Sequence, residues 1–122
     1  MNKAIYKLIK EAVKEIDIAG VHLDFVKNEN IDKDKSYIVY SLVSRTPHYD
    51  FDYSKDVYQI AVYSKKLDDA LNIQKTIGKY FNSLREKINN IEICECNIDN
   101  EIHNYVDEYY QAISMIRILY KY

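Results

Sequence analysis

The chain has few of the residues that shape binding loops or cross-link a fold. Its 122 residues include two glycines, one proline, two cysteines and no tryptophan. Because Gly20 and Gly78 are far apart, a glycine-rich phosphate-binding loop is excluded. Cys94 and Cys96 lack the further cysteine or histidine ligands of a metal motif, and two residues apart on one strand they are poorly placed for a disulfide. We interpret both as small apolar residues with free thiols in a reducing compartment.

Charge and hydropathy exclude further classes of protein. The net charge is −2, and no basic block is present that would bind nucleic acid through its phosphates. No segment approaches the roughly 18 consecutive apolar residues that span a membrane. Residues 1–3 lead directly into an amphipathic pattern, so we expect no signal segment. The sequence therefore predicts a protein made and kept in the cytosol, without a membrane or nucleic-acid partner.

The sequence shows no pattern of catalytic residues. Its three histidines stand in separate segments, and none has a partner at metal-ligand spacing. Asp50, Asp52 and Asp56 are close in sequence, but spacing alone does not bring carboxylates together in space, and we interpret them as charges on a solvated loop. We expect a protein that is not an enzyme and that uses no cofactor and no metal.

Hydrophobic periodicity predicts two helices separated and followed by strands. Apolar residues at helical spacing alternate along the chain with β-branched and aromatic stretches. This order predicts one α+β domain over residues 1–122. We expect a two-layer sandwich, with a mainly antiparallel sheet of about four to five strands and two helices packed on one face. The predicted elements are a helix over Lys3–Asp17, strands over Val21–Val26, Ser36–Ser44 and Val57–Ser64, a helix over Leu67–Ile88, and strands over Ile91–Ile98 and Tyr109–Lys121, with 99–108 left unassigned.

The predicted strands are apolar on both faces, although only two helices are available to cover them. Ser36–Ser44 and Tyr109–Lys121 both lack the alternation of apolar and polar residues that marks a sheet with one solvated face. A second copy of the chain is the simplest cover for the other face. Tyrosine suits such interfaces, because it combines a broad apolar ring with a polar tip, and the chain has thirteen tyrosines. We predict as subunit-interface residues Tyr37, Tyr40, Tyr58, Tyr63, Tyr110 and Tyr120.

The segment Arg45–Asp56 is predicted to be a long loop between two strands of a hairpin. It contains the single proline, and it is much longer than the 2–5 residues usual for hairpin loops. Aromatic residues alternate through it, which gives it apolar surface for binding. We predict that this loop contacts a partner protein through Arg45, Thr46, His48, Tyr49, Phe51 and Tyr53.

The order of elements and several segments resemble a known family. The segments are the N-terminal helix, Ser36–Tyr40, the proline-bearing loop, Asp56–Ser64 followed directly by a helix, and Tyr109–Ile118. Together they resemble the tail completion, or tail terminator, proteins of tailed bacteriophages and phage-derived tail particles. The resemblance spans nearly the whole chain and depends on strand patterns rather than on a catalytic signature.

The resemblance implies a structural role in a virion tail, reached from the host cytoplasm by assembly. Proteins of this family are small α+β subunits that form a homo-oligomeric ring, commonly a hexamer. The ring caps the head-proximal end of the tail tube and joins it to the head connector. The tail tube protein, the connector protein and further copies of the chain are thus the implied partners, and the family implies neither catalysis nor a cofactor.

Two other functions are compatible with the same residues. A related head-tail connector or tail-assembly adaptor would share the scaffold. A stand-alone module for RNA or a small ligand is the other alternative, because tyrosines on adjacent strands can stack on bases. The acidic chain lacks the aromatic and basic strand motif of RNA-recognition sheets, which argues against RNA.

Overall fold

The computed structural model describes residues 1–24, 34–48 and 53–121. Within these ranges the chain forms two helices and six strands. The helices are α1 (Asn2–Ala12) and α2 (Leu67–Phe81). The strands are β1 (Gly20–Leu23), β2 (Tyr37–His48), β3 (Tyr53–Ser64), β4 (Lys87–Ile88), β5 (Ile91–Val106) and β6 (Tyr109–Lys121).

The strands form one mixed, strongly curled sheet in the order β1-β2-β3-β6-β5-β4. β1 pairs with β2 in parallel, and every other neighbouring pair is antiparallel. The predicted α+β class is confirmed. The prediction of four to five strands is wrong, because the described residues form six, and the sheet is a curled half-barrel rather than the flat layer of a simple sandwich.

Both helices contribute to a single core on one face of the sheet, which we call the inner face. α1 buries Ile5, Leu8 and Ile9 there, and α2 buries Ile73, Ile77 and Phe81. Each such side chain contributes about 1.5–3 kcal/mol when it leaves water. The strand residues that meet them share one pleat direction and are Ile38, Tyr58, Ile60, Val62, Ala112, Ile116, Ile118 and Tyr120.

α2 ends at Phe81, seven residues before the predicted end at Ile88. The backbone of Asn82 is extended and Ser83 has φ 64°, so the chain leaves the helix axis. The Ser83 N–H then donates to the Cys96 carbonyl of β5 at 2.9 Å. Leu84 and Ile88 continue the apolar spacing and still pack against the core, but from an irregular segment and from β4.

β5 extends to Val106, well beyond the predicted end at Ile98. It joins β6 through a two-residue turn in which Asp107 and Glu108 have φ 51° and 69°. Positive φ at both central residues is typical of a type I′ hairpin turn. β5 and β6 thus form a long hairpin arm, whose distal half on β5 is exposed.

The predicted loop over Arg45–Asp56 is wrong, because most of it is strand. β2 continues to His48 and β3 begins at Tyr53, and the register pairs Arg45 with Asp56 and His48 with Tyr53. A bulge at Val43 shifts the alternation of β2, so that Arg45 points to the inner face. The connection between the two strands is residues 49–52, which lie outside the described residues.

Candidate assembly surface

The face of the sheet opposite the helices, the outer face, is apolar at its centre. Ala61 and Ile113 pair across β3 and β6 and are buried, although neither belongs to the core beneath the helices. Their neighbours on this face are half-buried: Tyr37, Val39, Val57, Tyr63, Met115 and Leu119. Adjacent side chains on the curled sheet therefore shield part of this face, but neither described helix lies on it.

Three tyrosines form a packed cluster on the outer face. The rings of Tyr37 and Tyr63 are stacked, with centroids 4.9 Å apart and an interplanar angle of 10°. Tyr109 meets Tyr37 edge-on at 5.6 Å, and the Lys65 ammonium lies 4.7 Å from the centroid of the Tyr109 ring. Gln111 donates to the Tyr63 hydroxyl at 2.7 Å. These contacts hold the rings in place, so little side-chain freedom would be lost on binding a partner.

The part of the outer face toward the β2–β3 connection is charged. Arg117 pairs with Asp99 at 3.3 Å, and Lys121 pairs with Glu92 at 3.5 Å. All four side chains are more than one third exposed. Such pairs contribute less than about 1 kcal/mol each. The outer face thus has an apolar half and a solvated, charged half.

A buried charge network fixes the base of the β2–β3 hairpin. The Asp56 carboxylate is fully buried and accepts two hydrogen bonds from the Arg45 guanidinium, both at 2.9 Å. The Tyr120 hydroxyl donates to the same carboxylate at 3.0 Å. This hydrogen bonding raises the pKa of Arg45. Asp56 is therefore not the solvated loop charge that we predicted, and Arg45 stabilises the subunit itself.

The residues predicted for partner contact lie on two strands and beyond. Arg45, Thr46 and His48 belong to β2 and Tyr53 begins β3, where its ring stacks on His48 at 4.6 Å. Tyr49 and Phe51 lie outside the described residues. The structure thus brings Thr46, His48 and Tyr53 together at the distal end of a hairpin, and Arg45 lies at the base of that hairpin. Their contact with a partner stays a prediction.

The six predicted interface tyrosines divide between the two faces. Tyr37 and Tyr63 lie on the outer face, where a neighbour could reach them. The prediction needs correction for three others, because these are buried in the subunit core: Tyr40, Tyr58 and Tyr120. Tyr110 is half-buried beside Tyr105, with ring centroids 4.8 Å apart.

The hydroxyl groups of the buried tyrosines explain why they point inward. Tyr58 donates to the Asn2 side chain of α1, while Tyr120 donates to Asp56. Burial, and secondarily the nearby Asp56 charge, raise the pKa of Tyr58. A buried tyrosine is tolerated when its hydroxyl has a partner. Asn2 lies within α1, at its first residue, and its side-chain oxygen accepts the hydrogen bond from Tyr58.

At both sides of the sheet, the short outermost strand covers only part of its neighbour. In the described residues, the remaining edges of β2 and β5 therefore pair with no other strand. β1 covers β2 only from Tyr37 to Tyr40, and β4 covers β5 only at Ile91 and Glu92. Four large apolar side chains are exposed on these open stretches: Val43 on β2 and Ile102, Tyr105 and Val106 on β5. Exposed apolar residues on an open strand edge favour pairing with another chain.

A shallow groove of about 790 Å³ runs between α2 and the open stretch of β5. At its base Gln74 is buried and donates to the Ile113 carbonyl at 3.0 Å, and its side-chain oxygen lies 2.7 Å from Nε2 of His103. Lys75, Lys79 and other polar residues line it. In the described ranges no cluster of histidine, cysteine or acidic residues is arranged to hold a metal, and neither helix is long and apolar enough to cross a membrane.

No protein-family model matches the chain, and no curated protein matches its sequence. Solved structures do share its fold. One is a chain from the virion of a native gene transfer agent particle, with TM-score 0.70, 11% identity, and coverage of 97% of this chain and 92% of that one. Another, which carries no functional name, has TM-score 0.65 and 15% identity, and covers 99% of this chain and 94% of the other. At these identities the likeness shows a shared fold over nearly the full length.

The open strand edges are the feature of this surface that the sequence did not predict. The sequence pattern predicts neither edge, because residues 99–106 of β5 show no clear strand alternation and residues 45–48 of β2 fall in the segment that predicts a loop. The signal that could have predicted a strand here is the alternation of side chains along residues 101–106. It is weak, because one set (Ile102, Asn104, Val106) and the other (Glu101, His103, Tyr105) both mix polar and apolar residues.

Proposed function

We propose that this chain is a structural subunit of a phage-like tail, which forms a ring on the head-proximal end of the tail tube and joins it to the head connector. The observation that carries the proposal is the fold shared over 97% of the chain with a protein of a gene transfer agent virion. The similar protein is part of a virion, and we infer from the shared fold that this chain also has a structural role. The resemblance of the strand segments to tail terminators supplies the position in the tail.

The surface of the chain supports assembly rather than catalysis. An apolar outer face and two open strand edges offer area and backbone hydrogen bonds to another protein. The groove beside α2 is open, and its histidine is hydrogen-bonded to Gln74 rather than to an acid that would activate it. A ring requires one heterologous contact repeated around an axis, and different surfaces at the two ends of the sheet suit that requirement.

The distal end of the β2–β3 hairpin is the proposed contact with the tail tube. Thr46 and Pro47 are exposed there, and His48 and Tyr53 stack beside them. The Arg45–Asp56 network holds the hairpin base, so its distal end is presented in a fixed direction. The aromatic residues of the connection, with Phe51 among them, complete the predicted contact.

The experiment measures the mass of the purified chain by light scattering, alone and after mixing with the tail tube protein of the same particle. We expect about six subunits, or rings on tube ends in electron micrographs. Tubes should stop growing when the chain is added. A chain that stays monomeric and leaves tube length unchanged would contradict the proposal.

A matched pair of variants tests the tube contact. Thr46→Glu adds a charge to the distal hairpin, and Asn72→Glu adds the same charge to an exposed position of α2. We expect both variants to fold, and only Thr46→Glu to lose capping. If the hairpin variant binds tubes normally but fails to bind the connector, the chain is the related connector or adaptor instead.

A further inference from the structure

We infer that the open edge of β5 pairs with the open edge of β2 in a second copy of the chain, so that the sheet continues antiparallel from one subunit to the next. The inference deepens the proposed ring, on which it rests, by naming the contact between its subunits. It follows from backbone directions, from strand order and from the location of the exposed apolar residues.

Two backbone hydrogen bonds establish which groups point outward at each edge. The Tyr40 carbonyl accepts from the Asp24 N–H at 2.8 Å, and the Cys96 carbonyl accepts from the Ser83 N–H at 2.9 Å, so both residues direct their backbone groups away from the sheet interior. Successive residues of an antiparallel strand alternate in this direction, and a bulge shifts the alternation by one. Bulges occur at Val43 on β2 and at Cys94 and Asp99 on β5, and of the two on β5 the one at Asp99 lies between Cys96 and the open stretch.

The alternation determines which backbone groups face outward on each edge. On β5 the backbone groups of Glu101, His103 and Tyr105 point outward, while the intervening residues bond to β6. On β2 those of Leu42 and Arg45 point outward. Within residues 1–24, 34–48 and 53–121 no strand pairs with these N–H and C=O groups, and such open groups are the pattern that pairs with an added strand.

Strand order gives the two edges compatible directions. β2 and β6 run one way, while β3 and β5 run the other. The open part of β5 lies level with the part of β2 that β1 covers, so two copies in the same orientation meet through their open stretches when one is displaced along the strands by about four residues, roughly 13 Å. β5 of one copy then lies next to β2 of the other and runs antiparallel to it. The contact is heterologous, since each copy uses a different edge on each side, and its repetition closes a ring when the rotation between copies allows it.

The apolar residues identify a second copy as the occupant. Large exposed apolar residues mark both edges, Val43 on β2 and Ile102, Tyr105 and Val106 on β5, and one edge-to-edge contact covers all four. Pro47 has no N–H and stands in the open stretch of β2, so it limits pairing to the part of the edge before it. A strand from an unrelated protein would cover one edge and leave the other exposed.

The test is covalent cross-linking of defined edges. Cys94→Ser removes the accessible thiol, while Cys96 is buried, and burial raises its pKa to about 12, so it stays unreactive. Val43→Cys and Ile102→Cys are added singly and together, and a short bis-maleimide is applied in the presence of tube protein. We expect the double variant to give a ladder of covalent multimers that ends at the ring number, and neither single variant to give one.

The outcomes separate the two proposals. Rings that form without a ladder overturn the edge pairing and leave the proposed function standing. Dimers from Ile102→Cys alone show symmetric pairing of β5 with itself and overturn the inference. A ladder in a chain that does not bind tube ends supports the edge contact and contradicts the capping role. Absence of both rings and ladder overturns both.

A backbone variant gives a second measurement. Glu101→Pro removes one outward N–H without removing a bond to β6, and Glu101→Ala removes the same side chain but keeps that N–H. Loss of one hydrogen bond per contact should weaken assembly of the proline variant by about tenfold relative to the alanine variant. Equal assembly of the two folded variants would contradict the pairing. If the proline variant fails to fold, the cross-linking result decides.

Discussion

Replacement of Asp56 by asparagine tests whether the charge network at the hairpin base stabilises the fold. Asp56→Asn preserves the volume of the side chain but removes its charge and one acceptor, so the bonds from Arg45 and Tyr120 cannot all be kept. Removing one partner of a fully buried ion pair costs about 3–5 kcal/mol. The Arg45 side chain is 42% exposed and can regain water. We therefore expect the variant to lose about 2–3 kcal/mol of unfolding free energy.

The assay is denaturant unfolding followed by circular dichroism, with thermal unfolding as a second measure. For a chain of 122 residues the expected loss lowers the melting temperature by roughly 10 °C. A double-mutant cycle with Arg45→Met isolates the pair, since the double variant should lose less than the sum of the two single losses. A loss under about 1 kcal/mol, or strictly additive effects, would show that the network contributes little.

Three further predictions follow from local geometry. Glu108→Gly should raise the unfolding free energy by about 1 kcal/mol in denaturant titration. Glycine adopts the positive φ of 69° at this position of the β5–β6 turn without strain, and a loss of stability would contradict this turn geometry. Gly78→Ala should stabilise α2 by about 1 kcal/mol in the same assay, because an added Cβ would meet only a Glu101 oxygen at 3.7 Å, and destabilisation would reveal crowding in the groove. Burial raises the pKa of Cys96 from 9.0 to about 12 in the folded chain. Between these values the folded chain keeps a proton that the unfolded chain releases. The unfolding free energy should therefore be level below pH 9 and fall as the pH rises toward 12. In Cys96→Ala the loss of stability between pH 9 and 10 should be smaller than in the wild type by about 1 kcal/mol, and an unchanged loss would exclude Cys96 as its source.

Strong periodicity made part of the fold predictable. The bounds of β6, Tyr109–Lys121, match the prediction, and α2 begins at the predicted Leu67. In both segments apolar residues recur at one period over many positions, and tertiary contacts reinforce that period. The end of α2 was not predictable in the same way, because Leu84 and Ile88 fit the helical spacing while hydrogen bonds to β5 pull the chain out of the helix.

The hairpin arms were missed for a different physical reason. Short-range hairpin signals are pairs such as Asn-Gly, and the β5–β6 turn uses Asp107 and Glu108 instead. Long-range pairing with β6 supplies the hydrogen bonds that keep the polar residues of β5 in a strand. The burial of Asp56 was equally hidden, since it depends on Arg45 across the hairpin and on Tyr120 from the far end of the chain.

The face on which each tyrosine lies also depends on contacts that sequence spacing does not reveal. Alternation along β3 puts Tyr58 and Tyr63 on opposite faces, but it does not say which face the helices choose. The Asn2 side chain and the Asp56 carboxylate accept hydroxyl bonds on the inner face, so Tyr58 and Tyr120 are buried there. Tyr63 is left on the outer face, where it stacks on Tyr37.

The lengths of the elements connect the fold to the proposed assembly. α2 has 15 residues and spans about 22 Å. β5 has 16 residues and spans about 53 Å, so the sheet extends far beyond the helix that covers it. On β5 the side chains of residues 99–106 are all exposed, so a single subunit gains no core from them, and the open strand edge carries an aggregation risk. The opposing half of β6 belongs to the core, because Ala112 and Ser114 are buried there, so this edge has to be tested without deleting β6. Ile102→Glu combined with Val106→Glu should change the unfolding free energy by less than about 1 kcal/mol, since both side chains are exposed, while it abolishes assembly. A doubly substituted chain that still assembles would show that this edge of β5 is not the contact.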